Sequence, residues 1–128
     1  DYGRAHAALA QTYWMGSELG WRWQMALGCG WSEGRLLARK YLEIAMKKPT
    51  SIVHQVASAM NLYRRRYQEA LAEAELAIAL DPNDHRAHWI LAWVLIYAGS
   101  PEQAVDYAKT AMRLDFLMGL KLNVREQI

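Results

Sequence analysis

Histidines are the residues of this sequence whose spacing most clearly suggests chemistry. His85 and His88 lie three residues apart beside Asp84, a spacing that could supply two ligands to a metal ion on a helix. However, His6, His54 and His88 fall at equivalent positions of successive segments with helical periodicity. Packed helices lie about 8 to 10 Å apart, whereas the ligands of one zinc ion lie about 2 Å from it. We therefore expect these histidines to pack between helices, and we expect no metal site.

Cys29 is the second candidate for chemistry and the only cysteine of the chain. A thiol nucleophile needs a neighbouring base, and no histidine lies near Cys29 in the sequence. The sequence also contains no phosphate loop, dinucleotide fingerprint, metalloprotease helix or nucleophile elbow. We expect a protein that is not an enzyme and that has no catalytic residue and no cofactor. A lone cysteine forms no internal disulfide, which favours a reducing, cytoplasmic location.

Composition narrows the class of protein. The chain has 128 residues, of which 53% are hydrophobic and 22% charged, as expected of one globular domain over residues 1–128 without a membrane span. The net charge of +2 is too small to require nucleic acid or a membrane surface as partner, and no feature indicates a small-molecule substrate. The chain begins with Asp1 and has no signal-peptide pattern, so we expect part of a longer protein.

Helical periodicity dominates the sequence, and no segment alternates as a β-strand does. We predict helices near residues 4–16, 32–47, 51–64, 67–80, 84–98 and 101–114. Asp81-Pro82-Asn83-Asp84 and Gly99-Ser100-Pro101 mark two helix boundaries, because they combine helix-stopping residues with residues that cap a helix start.

The second half of the chain contains an internal repeat. Segment 51–82 aligns with segment 85–116 without a gap. The identical pairs are His54/His88, Tyr63/Tyr97, Ala70/Ala104, Ala74/Ala108, Ala77/Ala111, Leu80/Leu114 and Asp81/Asp115. Alanines three and four positions apart let neighbouring helices pack closely. Residues 4–49 repeat the same order of small and large residues, so we predict three helical hairpins at 4–49, 50–83 and 84–115.

These copies resemble the tetratricopeptide repeat, a helix-turn-helix unit of about 34 residues, and the match covers most of the chain. The residues that carry the resemblance are Ala87 to Ala92, Gly99, Ala104, Ala108, Ala111 and the segment Tyr67 to Pro82. The resemblance implies an all-α fold, a right-handed superhelical solenoid of three hairpins. Arg65 stands where the family has a glycine in its turn. A weaker resemblance to repeat regions of bacterial nucleotide cyclases and transcription regulators implies an alternative, a regulatory segment that controls an attached output domain.

In such a solenoid the first helix of each hairpin lines a concave surface. We predict that this groove binds a protein or peptide through Arg4, Gln11, Trp14, Gln55, Tyr63, Arg86, Trp89, Trp93 and Tyr97. Trp89, Trp93 and Tyr97 form a second apolar face, beyond the one that a single core needs. An alternative is that the tail or a further repeat covers these tryptophans. The function that we predict is non-catalytic interaction with a partner.

Two further segments have alternatives that the sequence leaves open. Residues 16–31 form an insertion in the first hairpin, and their tryptophans either fold back as a lid or contact a neighbouring molecule. A homo-oligomer could form through this insertion or through exposed end hairpins. We predict that the tail, 116–128, caps the last hairpin with its apolar residues.

Arg64, Arg65 and Arg66 follow one another at the end of the third predicted helix. The simplest interpretation is a solvated turn near the helix C-terminus, where cations are favoured. The functional alternative is contact with an anion or an acidic peptide. Single-stranded nucleic acid is the next partner class, but a net charge of only +2 with 13 acidic residues argues against it.

Overall fold

A computed structural model describes residues 2–18 and 20–126 of the chain. These residues form α-helices and no β-strand, which confirms the predicted all-α class. In chain order, the helices are α1 (Tyr2–Glu18), α2 (Trp21–Leu27), α3 (Trp31–Ala45), α4 (Ser51–Tyr63), α5 (Tyr67–Leu80), α6 (His85–Tyr97) and α7 (Pro101–Glu126).

The predicted helix boundaries agree with the structure over most of the chain. Helix α5 spans the predicted residues, and α7 begins at Pro101 as expected. Asp84 caps α6, because its carboxylate accepts a hydrogen bond of 3.1 Å from the backbone N–H of Arg86.

Helix α2 lies within the insertion 16–31, where the sequence analysis expects no helix. It packs on α1 at Gly16, since a Cβ added there would collide with the side chain of Leu27. Trp31, at the end of the insertion, is 54% exposed. The side chains of Trp21 and Trp23, on which the lid alternative depends, lie outside the described part of the structure.

The helices pack mainly in three pairs, α1 with α3, α4 with α5 and α6 with α7. Each pair also contacts the next, since α4 touches both α1 and α3, and α6 touches both α4 and α5. As a result α1, α4 and α6 lie in sequence, with α4 in contact with the other two.

Alanines are buried where the helices pack, as the repeat predicted. Ala70, Ala74 and Ala77 of α5 have no exposed surface, and Ala38 and Ala45 of α3 are equally buried. A methyl group fills little space, so the neighbouring helix can approach closely along these faces. Ala108 of α7 is only half-buried, although it aligns with Ala74.

The histidines pack between helices, as expected. His54 and His88 are buried. The Nδ1 atom of His54 lies 2.5 Å from the Glu73 carboxylate, while His88 stacks on Tyr107 with ring centroids 6.3 Å apart. His85, the other half of the candidate metal pair, turns to Asp115 instead, with 3.7 Å between the nitrogen and the oxygen.

Two turns at equivalent positions of the repeat have the same geometry. After α6, the N–H groups of Gly99 and Ser100 bond to the carbonyls of Ile96 and Leu95, and Gly99 has a φ of 91°. This is the Schellman arrangement, in which a residue with positive φ ends the helix. After α4, Arg65 and Arg66 make the equivalent bonds to Leu62 and Asn61, and Arg65 has a φ of 60°.

The prediction that the tail caps the last hairpin is wrong for residues 116–120. Helix α7 continues without interruption to Glu126, and Asp115 already lies beside His85, the first residue of α6. The side chain of Phe116 is 66% exposed, and Leu117, Met118 and Leu120 are exposed as well. One internal glycine, Gly119, costs a helix about 1 kcal/mol, which does not reverse the chain. The side chains after Leu120 lie outside the described part of the tail.

Candidate functional site

An open cavity of about 840 Å³ lies along α1, α4 and α6. Eight of the nine residues that the sequence predicted for the groove line it. Helix α1 contributes Gln11 and Trp14, α4 contributes Gln55 and Tyr63, and α6 contributes Arg86, Trp89, Trp93 and Tyr97. The ninth, Arg4, lies instead at a second cavity of about 520 Å³, near the starts of α4 and α6.

The aromatic residues of α6 form one wall of the large cavity. Trp93 and Tyr97 stack with ring centroids 6.1 Å apart, and they are 54% and 57% exposed. The opposite face of the same helix is buried, because Leu91, Val94 and Leu95 lie in the core. More than half of the surface of Trp93 and of Tyr97 is therefore left uncovered by the described residues, the described tail included.

A polar network closes the end of the cavity where α6 begins. The Arg86 guanidinium donates two hydrogen bonds to the Asp84 carboxylate, at 3.1 and 3.2 Å, and a longer one of 3.5 Å to Gln11. Gln55 is fully buried, and its amide N–H donates to Asp84 at 2.8 Å and to Ser51 at 3.1 Å. This network links α1, α4 and α6, so Arg86, Gln11 and Gln55 have a structural role at the site.

Hydrogen bonding controls the ionisation of Asp84. Burial on its own would raise the pKa of this carboxyl, because the charged form loses water. The hydrogen bonds from Arg86 and Gln55, together with the positive charge of Arg86, outweigh burial and hold the pKa below its usual value. Asp84 is therefore a carboxylate at neutral pH, and it neutralises Arg86.

The other end of the cavity holds a cluster around Arg35, which extends from α3. Its guanidinium lies 3.8 Å from the ring centroid of Tyr63, 5.3 Å from that of Trp14 and 5.2 Å from that of Trp31. Cations are attracted to the faces of such rings. Trp14 and Tyr63 also meet edge to face at 5.8 Å, so the three ring contacts hold the Arg35 charge in one place.

Glu18 is the acidic residue that lines this end of the cavity. Partial burial raises the pKa of its carboxyl, while the positive charge of Arg35 and the nearby indole N–H of Trp14 reduce the rise without reversing it. The negative charge that Glu18 offers to Arg35 is correspondingly less favoured than that of a carboxylate in water.

Arg65 also lines the cavity, from the turn between α4 and α5. No carboxylate of residues 2–18 or 20–126 lies within 4.0 Å of its guanidinium. The sequence interpretation did not include Arg35, Glu18 or Tyr67 among the groove residues. It placed Arg65 in a turn and gave contact with an anion or an acidic peptide as the alternative for Arg64 to Arg66, without including Arg65 in the groove. Its position in the repeat, where the aligned residue is Gly99, was a signal that could have identified it; Arg35 had none, because its reach depends on how the insertion folds.

The described residues contain no group of three or more His, Cys, Asp or Glu side chains that could hold a metal ion. Each helix within residues 2–18 and 20–126 is too short or too polar to cross a membrane.

Comparison of the chain with protein-family models, with curated proteins and with solved structures gave no match. The resemblance to tetratricopeptide repeats therefore rests on the residues of this chain alone.

Proposed function

We propose that the chain is a non-catalytic interaction module, built as a right-handed superhelix of three tetratricopeptide-like hairpins, whose groove binds a peptide segment of a partner protein. The way in which the helix pairs follow one another supports this architecture, since α4 contacts both α1 and α6. In a solenoid of this kind the first helix of every pair faces the concave side, and α1, α4 and α6 are the helices that line the cavity.

The exposed aromatic wall of α6 is the observation that carries the proposal. Helix α6 already buries Leu91, Val94 and Leu95 in the core, and Trp93 and Tyr97 lie on its other, exposed face. Exposed large apolar surface is costly in water and typically marks a binding site. Tryptophan, tyrosine and arginine are also the residues that contribute most to the affinity of protein interfaces, and the cavity combines all three.

The occupant that fits this cavity is an apolar peptide segment with at least one large side chain. A cavity of about 840 Å³ is within the range of about 300 to 1,000 Å³ typical of ligand sites, and it extends across three helices. An aromatic or long aliphatic side chain of the peptide would stack on Trp93 and Tyr97. The positively charged side chains Arg35 and Arg65, which line the same cavity, favour a peptide that is not basic.

Selection from a displayed library of random peptides tests the proposal directly. Each peptide is embedded in a carrier protein, so that neither end is free. We expect the wild-type chain to enrich sequences with aromatic and aliphatic residues, and the Trp93→Ala/Tyr97→Ala variant to lose them. Phe116→Ala is the matched control, because it removes an exposed aromatic ring outside the cavity.

Circular dichroism and thermal melts accompany each selection. Retention of the enriched peptides by a folded Trp93→Ala/Tyr97→Ala variant would exclude the groove as their site. Unfolding of that variant would also contradict the proposal, since it would show that the two rings are needed for the stability of the fold and do not serve ligand binding alone.

A further inference from the structure

We propose that Arg65 makes the groove selective for peptides in which an aspartate or glutamate side chain accompanies the apolar residues. This inference rests on the proposed function, because it specifies the ligand of the same cavity. It is carried by the backbone conformation of Arg65, by the position of its side chain and by the balance of charges along the cavity.

The backbone conformation of Arg65 is unfavourable for an arginine. Its φ of 60° lies in the left-handed region, where a Cβ is crowded and glycine is preferred. The aligned turn has Gly99 in this place, with the same pair of backbone hydrogen bonds. An arginine here therefore lowers stability relative to glycine.

Packing gives no compensation for this strain. Arg65 is exposed, and no carboxylate among the residues that the structure describes pairs with it. Its side chain instead lines the cavity. Strained residues that persist without a structural reason are typical of binding and catalytic sites, so the side chain of Arg65 is best explained by what it contacts in the cavity.

The charges along the cavity indicate what that contact is. Of the arginines that line it, Arg86 is neutralised by its two hydrogen bonds to Asp84. Arg35 is held by three aromatic rings and lies near Glu18. Arg65 remains as a cation for which the described residues offer no carboxylate within 4.0 Å. The end of the cavity near Arg35 and Arg65 is thus positive, and it complements an acidic group on the ligand.

A carboxylate matches this position in geometry as well as in charge. A guanidinium presents parallel N–H donors that can bond both oxygens of one carboxylate. With the apolar residues of the peptide on Trp93 and Tyr97, an acidic side chain farther along the same peptide would reach Arg65. The ligand class is therefore an acidic, aromatic peptide segment, which is recognised through its side chains.

The test repeats the library selection with variants of one turn. Arg65→Gly removes the charge and the strain, Arg65→Asn removes the charge in a residue that tolerates positive φ, and Arg65→Lys keeps the charge. Arg66→Ala is the matched control, because Arg66 lies in the same turn, is exposed and does not line the cavity. An enriched peptide is then synthesised with acetylated and amidated ends, and its affinity for every variant is measured.

We expect wild-type selections to enrich aspartate or glutamate together with aromatic residues. Arg65→Gly and Arg65→Asn should lower the affinity for the synthetic peptide about tenfold, the usual effect of losing a charged hydrogen bond. Arg66→Ala should keep the affinity within about threefold of wild type, since the charge at the cavity is preserved. Arg65→Lys should give an affinity between those of wild type and Arg65→Asn, because lysine keeps the charge but lacks the paired N–H donors of arginine. Replacing the acidic residue of the peptide by its amide should reduce its affinity for the wild-type chain but not for Arg65→Asn.

The outcomes separate this inference from the proposed function. One possible result is that wild type enriches aromatic peptides without acidic residues and that the Trp93→Ala/Tyr97→Ala variant loses them. This result would overturn the inference about Arg65, while the groove would remain a peptide-binding site. Equal affinity of an acidic peptide for wild type and Arg65→Asn would overturn it as well. If wild type and the Trp93→Ala/Tyr97→Ala variant enriched the same peptides, both the inference and the proposed function would be overturned.

Discussion

The Nδ1 atom of His54 lies 2.5 Å from the carboxylate of Glu73, and the equivalent positions of the next repeat are occupied by His88 and Tyr107. That later pair has ring stacking in place of the polar contact, at a centroid distance of 6.3 Å. The histidine at this position between two helices can therefore make either a polar contact or a ring-stacking contact with its partner on the second helix.

Glu73→Ala is expected to lower the free energy of unfolding by about 1 to 3 kcal/mol, because it leaves the buried His54 without its partner. Glu73→Tyr should cost less, since it recreates the pair of His88 and Tyr107. Urea denaturation measures both. Glu75→Ala, an exposed position of the same helix, is the control, and an equal loss for Glu75→Ala would show that the contact does not stabilise the fold.

Ala74→Leu should cost about 1 to 3 kcal/mol of stability, because the larger side chain has to enter a fully buried helix contact. Ala74 has no exposed surface and lies in the core with Leu91 and Leu95. Ala108→Leu should cost less, since Ala108 is half-buried. Thermal melts compare both with Glu75→Leu at an exposed position of α5; no difference among the three would contradict the assigned helix faces.

Asp84→Asn should destabilise the chain at neutral pH and much less in acid. The pKa of Asp84 is lowered in the folded state, so its carboxylate contributes stability above the pKa of an unfolded aspartate, about 4. That contribution disappears as the pH falls through the lower, folded pKa. Urea denaturation of both proteins from pH 7 to acid checks this, and a difference that stays constant with pH would show that the charge of Asp84 contributes nothing.

Gly99→Ala and Arg65→Gly are expected to have opposite effects, although they alter equivalent turns. Alanine at the φ of 91° of Gly99 should cost about 1 to 2 kcal/mol, whereas glycine at Arg65 should raise stability by as much as about 1 kcal/mol through relief of strain. Thermal melts of the two variants give the signs. A lower melting temperature for Arg65→Gly would mean that the arginine side chain stabilises the turn.

The sequence predicted the parts of the fold that depend on local pattern. Helix ends at Asp84 and Pro101 follow from residue types that favour caps and first turns. The buried faces of Ala70, Ala74 and Ala77 follow from spacing alone. Eight groove residues could be predicted for the same reason, since positions on the first helix of each hairpin are related by the repeat.

Side-chain contacts between residues of different helix pairs could not be predicted in this way. Arg35 reaches the cavity from α3 because α2 and the following turn set where that helix begins. The segment Asp81 to Asp84 was expected to cap the start of α6, with Asn83 or Asp84 as the cap, and the structure has Asp84 in that role. The bonds of Asp84 to Gln55 and Arg86, however, depend on how α4 and α6 pack. Helix α7 continues past the predicted end at residue 114, because a helix without a strong breaker continues even where its apolar residues stay exposed.

The hydrogen bond between Arg86 and Gln11 joins residues that are 75 positions apart, while the contacts within each helix pair are local. Local pairs form quickly, whereas a link of this length closes only after the intervening chain is in place. We therefore expect the polar end of the groove to be completed late in folding and lost early when one terminal pair detaches. A peptide that spans the groove would tie the first pair to the third, so its binding should make unfolding of the array more cooperative as well as shift its midpoint.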